Sequence, residues 1–103
     1  GRVDQFVGGL NEVDRSTMYL NFDSSITLYD DIKASTFWNS YFDPDPGAFP
    51  YVLSSLVASN PASVTFHLVN SNAESWNVEM AMVQVGESWF ITELWLNGVQ
   101  RVY

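Results

Sequence analysis

Residues 76–96, WNVEMAMVQVGESWFITELWL, decide the fold, because they read as two β-strands joined by one tight turn. Val, Ile, Trp, Phe and Thr dominate, and such side chains suit a pleated, half-buried surface. Gly86-Glu87 is the natural turn, since Gly at the first central position fits the type II′ geometry that matches strand twist. That turn pairs Val85 with Ser88, Met82 with Ile91, Met80 with Glu93 and Val78 with Trp95. One face then carries Trp76, Val78, Met80, Met82, Trp89, Ile91 and Trp95, with Glu93 as its only charge. The other carries Glu79, Ala81, Val83, Val85, Phe90, Thr92, Leu94 and Leu96. A slip of one residue in one strand would exchange its faces and move Glu93 to the side of Glu79. Register therefore decides the setting of Glu93.

At 103 residues the chain is expected to form a single domain, 1–103, with one core. Hydrophobic residues are 47% and aromatics 16%, which indicates a globular rather than a disordered chain. No apolar run approaches the roughly 18 residues of a membrane span, so no membrane insertion is expected of this segment. Twelve acidic against four basic residues give a net charge of −8, which repels phosphate backbones and anionic membrane surfaces. No nucleic-acid partner is expected. Without cysteine there is no disulfide framework, thiolate metal site or thiol nucleophile. Low Lys with abundant Ser and Asn leans toward an exported domain. Gly1 reads as a residue left by tag removal, any leader having been cut away before it.

Upstream, Val3, Phe6, Val7, Leu10 and Val13 recur at helical spacing, with Gly8-Gly9 marking a close approach or a bend. A second helical segment is expected over 15–22, with Asp14 as its N-cap rather than a catalytic acid. Residues 25–29, SITLY, alternate like a short strand, and Asp30-Asp31 should open the next helix. Phe37, Trp38, Tyr41 and Phe42 form an aromatic stripe on that helix, and Asp43-Pro44-Asp45-Pro46-Gly47 stops it. Asp43 and Asp45 are spaced like the start of a calcium loop, but the prolines and the missing downstream ligands argue against a metal. Strands follow over 51–58 and 64–69, with a turn at Asn60-Pro61-Ala62-Ser63; Asn97-Gly98 bends the chain or makes a second turn before an edge segment at 99–103.

The order of helices, short strand, helix and consecutive strands predicts an α+β fold with N-terminal helices on one face of a curved antiparallel sheet. On this pattern the chain resembles the nuclear transport factor 2-like superfamily, whose cystatin-like fold forms a cone. Leu10-Asn11-Glu12-Val13-Asp14 followed by Phe22-Asp23 is similar to that family's helix–Asp–helix opening. Phe37-Trp38-Asn39-Ser40-Tyr41-Phe42 sits where its third helix would, and Gly86-Glu87-Ser88-Trp89-Phe90-Ile91 resembles its turn and Trp-x-Ile strand start. The resemblance implies a pocket between helices and sheet, in a family of isomerases, dehydratases, binders and interaction modules. Its enzymes place Asp, His or Tyr in that pocket, and no residue here matches those positions one by one.

The expected pocket lining is Phe37, Trp38, Tyr41, Met80, Met82, Trp89, Ile91 and Trp95. Glu93 has two readings: a carboxyl in apolar company, fit for acid–base work, or a solvent-facing charge after a register slip. His67, the only histidine, is either a proton shuttle with Glu93 or a structural strand residue. Tyr19, Tyr29, Tyr41 and Tyr51 offer hydroxyls, with nothing to single one out. No cofactor and no metal are expected. The first functional reading is a noncatalytic module binding a hydrophobic small molecule or a protein partner; the second is a cofactor-independent isomerase or dehydratase using Glu93 or His67. Apolar residues on both hairpin faces predict a homodimer through the sheet, covering Val83, Val85, Phe90, Leu94 and Leu96.

Overall fold

The computed structural model describes residues 1–12 and 15–103. Helix α1 spans Arg2–Leu10, a 3-10 helix spans Arg15–Asn21, and α2 spans Asp31–Tyr41. A short 3-10 turn at Pro46–Ala48 leads into five strands: β1 Val52–Asn60, β2 Ser63–Val69, β3 Ser75–Val85, β4 Ser88–Leu96 and β5 Val99–Val102. They form one antiparallel sheet in the order β1-β2-β3-β4-β5. The helices pack on one face of it, as the α+β reading predicts.

Local chemistry explains most boundaries. The Asp30 side chain accepts from the Lys33 amide and caps α2, whose Ala34, Phe37 and Trp38 are buried. Phe6 and Leu10, one turn apart on α1, enter the same core as Phe22, Phe42, Phe66 and Ile91. Gly9 is the close approach: a Cβ there would stand 3.3 Å from Met18 Cε, whereas Gly8 faces open space. Helix α1 ends at Leu10, short of the expected Val13; Val13 and the Asp14 cap lie outside the described residues.

The strand expected over 25–29 does not form. Asp23 takes the Ser25 amide and hydroxyl on its carboxylate, and the Ile26 and Tyr29 amides donate to the Asp23 and Ile26 carbonyls. Side-chain capture of local amides favours turns over a ladder. Phe22 forms a parallel bridge to Ile91 instead, with the Asp23 amide donating to the Ile91 carbonyl at 2.9 Å. Asp43 and Asp45 are spent similarly, on the amides of Asp45 and Gly47.

The β3–β4 turn is as read: Val85 pairs with Ser88, Gly86 has φ +63°, and Glu87 keeps a negative φ, the sign pattern of type II′. Asn97 and Gly98 both have positive φ, which gives β4–β5 a type I′ turn. The hairpin register is corrected farther along. Met82 pairs with Ile91, but Ala81 pairs with Glu93, leaving Thr92 as an extra residue, a β-bulge. Thr92 Oγ1 donates to the Ala81 carbonyl at 3.1 Å. Beyond the bulge, Met80 faces Leu94 and Val78 faces Leu96, all buried, while Glu93 and Trp95 turn to the helix-free side beside Ala81 and Glu79.

Candidate functional site

Strand β1 is where the helices leave the sheet uncovered. Leu53, Leu56 and Ser59 pair with Leu68, Phe66 and Val64, so they stand on the helix-bearing face. Leu68, Phe66 and Val64 are buried, yet Leu53 is 38% and Leu56 53% exposed. The cause is length and aim: α1 has only nine residues and packs chiefly on the 3-10 helix and β4.

The result is a cleft of about 290 Å³ between the first turn of α1 and the sheet. Val3 forms one wall, Leu53 and Leu56 the other, with Val64, Met82 and Trp89 between them. Arg2 and Asp4 stand at the rim on α1, Ser59 and Pro61 on the β1–β2 hairpin.

Arg2 fixes the α1 wall. Its Nε donates to the Trp89 carbonyl at 2.7 Å, its Nη1 to Asn21 Oδ1 at 3.0 Å, and its guanidinium lies 4.7 Å from the Phe90 ring centroid. Burial lowers the Arg2 pKa from its ordinary value. At the other end of α1, Asn11 Nδ2 donates to the Val7 and Tyr51 carbonyls, and Asn11 Oδ1 accepts from the Tyr51 amide. The helix is thus tied to β4 at its start and to the entry of β1 at its end.

A second cleft, of about 320 Å³, lies by the hairpin tip and is lined by Leu20, Phe22, Tyr29, Val85 and Phe90. Its wall includes the 22–24 segment that takes the edge of β4 beyond the reach of β5.

The residues expected to line one pocket are distributed over three settings. Phe37, Trp38, Met80 and Ile91 are buried in the core, and half-buried Tyr41 packs on Phe37 at 5.2 Å between ring centroids. Phe22 and Phe42 rings stand edge-on to Phe37, filling the space between α2 and the sheet. Met82 and Trp89 line the cleft. Trp95 stands on the opposite face, beside Glu79.

His67 and Glu93 also occupy that opposite face, half-buried. His67 pairs with Asn77 and Glu93 with Ala81, on either side of β3 and four residues apart along it. Strand geometry separates them by roughly 13 Å along the strands and about 10 Å across, so no proton passes directly between them. Tyr51 is buried and its hydroxyl donates to the Asp43 carbonyl at 2.7 Å. Tyr19 and Tyr29 pack edge to face, 5.1 Å apart.

The lining residues that sequence reasoning missed are Arg2, Val3, Leu53 and Leu56. Leu53 and Leu56, three apart, share a face only because Ser54 and the register shift beside it break the alternation. No protein-family model, no curated protein and no solved structure matches the chain.

Proposed function

We propose that the chain is a noncatalytic binding module that takes an apolar small molecule in the cleft between α1 and β1. The observation that carries this is the exposure of Leu53 and Leu56 inside a concavity backed by Met82 and Trp89. Ligand sites are concave and mostly apolar with few polar groups, and about 290 Å³ meets the lower end of their size range. Arg2 and Asp4 at the rim set one charge of each sign beside an apolar interior, which favours an apolar body with a polar head. Helices on one face of an antiparallel sheet agree with the nuclear transport factor 2-like resemblance, a superfamily rich in such modules.

Anilinonaphthalene sulfonate, an apolar anion, tests the reading. Its fluorescence should rise on mixing with the folded chain, and Leu56→Lys should abolish the rise while leaving the thermal melt in place. Equal dye binding by the Lys variant would sink the assignment to this cleft.

A further inference from the structure

We infer that β1 is the contact by which two copies of this chain associate, pairing antiparallel edge to edge and extending each sheet into the other. Strand β1 ends the sheet order, so among the described residues one side of its nine residues has no strand beside it. A row of main-chain donors and acceptors of this kind is matched by another extended backbone, which fixes the kind of occupant. Edge strands are usually guarded by charged residues, proline, bulges or a covering element, and of these β1 has only bulges. VLSSLVASN contains no charge and no proline, and every residue of it is exposed. The two register shifts in β1 bend it and limit the added ladder to short runs, which fits a reversible rather than an obligate pair.

Charge selects a second copy at this edge over a face-to-face pair. The chain carries −8, but β1 has no ionisable group and β2 has only His67. The first carboxylate along the sheet is Glu79 on β3. Across paired β1 strands the two Glu79 side chains would be separated by five strand spacings, roughly 24 Å. That is well beyond the Debye length of about 8 Å at physiological ionic strength. Packing through the helix-free faces would instead press Glu79 and Glu93 of both copies together. The expectation that Leu94 and Leu96 drive such a pair is corrected by their burial on the helix side.

Edge pairing also bears on the cleft, and this part rests on the binding reading above. A two-fold axis perpendicular to the sheet keeps both helix-bearing faces on one side. The second copy's Leu53 and Leu56 then stand next to the open wall of the first copy's cleft, and the two clefts share a border.

Sedimentation equilibrium across the micromolar range, without ligand, is the test. The expected mass rises toward twice 11.6 kDa with concentration. Ser55→Lys with Val57→Lys should weaken association by about tenfold or more with an unchanged far-ultraviolet spectrum. Val85→Lys, at the far end of β3, should leave association as it was. Should the Lys pair unfold, hydrogen exchange of the native chain gives the same answer, with β1 amides slowing as concentration rises. A single-chain mass throughout overturns the inference, as does a dimer that survives the Lys pair. So does a dimer that Glu79→Gln with Glu93→Gln strengthens while the Lys pair leaves it unaffected, since that is a face-to-face pair. Dye binding and mass are separate readouts, so either proposal can fail alone.

Discussion

The side-chain amide of Asn11 closes a two-bonded ring on the backbone of Tyr51, accepting its amide at 2.6 Å and donating to its carbonyl at 2.8 Å. Forty positions apart in sequence, the two residues are joined as neighbouring strands would be, by one side chain standing in for a strand. The ring fixes the end of α1 to the entry of β1, the two elements that wall the cleft. Asn11→Ala leaves a part-buried amide and carbonyl without these partners and should cost about 2 kcal/mol in chemical denaturation. Asn11→Asp keeps the acceptor for the Tyr51 amide but sets a carboxylate oxygen against the Tyr51 and Val7 carbonyls, so it should not rescue the loss seen with Ala.

The β4 bulge makes adjacent residues answer mutation very differently. Leu94 is fully buried and Glu93 is half-buried on the helix-free face. Leu94→Ala should cost about 3 kcal/mol, whereas Glu93→Ala should stay within about 0.5 kcal/mol. Urea midpoints of the two variants check this, and the opposite ranking would restore the unbulged register.

Burial raises the Tyr51 phenol above its ordinary value of 10.0, and the hydrogen bond its hydroxyl donates to the Asp43 carbonyl also favours the protonated form. The folded state therefore holds the proton more tightly than the unfolded chain. The stability this gives is full below pH 10.0 and is lost as pH rises through the folded value. In a phenolate absorbance titration one tyrosine should ionise later than the ordinary value, and Tyr51→Phe should remove that late step.

At Asp23 the sign reverses. Hydrogen bonds from the Ser25 hydroxyl and amide hold its carboxyl below the ordinary 3.8, and their contribution is present above that value and lost as pH falls through the lowered one. Ser25→Ala should move the Asp23 carboxyl-carbon titration back toward 3.8. An unmoved midpoint would mean the hydroxyl is not the cause.

Several elements were legible because one residue type dictates each. Gly86 set the β3–β4 turn, Asn97-Gly98 the next, and Asp30 the start of α2. Of the aromatic stripe Phe37, Trp38, Tyr41 and Phe42, the first three lie on α2 as read and Phe42 is its C-cap, and all pack in or against the core. The cleft was not legible, since it depends on α1 packing chiefly on the 3-10 helix and β4, and a helix's aim is a tertiary property. Glu93 takes the second of its two readings, off the helix-bearing face, but through a bulge rather than a different turn. Alternation alone assumes an uninterrupted strand. The signal was present in Ile91-Thr92-Glu93-Leu94: two apolar residues an odd number apart share a face only across an inserted residue. At 25–29 the alternation was real, and Asp23 overruled it from outside the window.

Thr92 acts, in effect, as a frame shift written in the polypeptide. Upstream of it the odd-numbered residues of β4 face the helices; downstream the even-numbered ones do. Deleting that one residue would remove the bulge and leave the pairs with β3 as they are, with Ile91, Leu94 and Leu96 inward and Glu93 and Trp95 outward in plain alternation. Deleting Leu94 with the bulge kept would instead exchange faces beyond it unless a second change restored phase. Two chains of this fold that differ by the bulged residue alone would bury the same side chains.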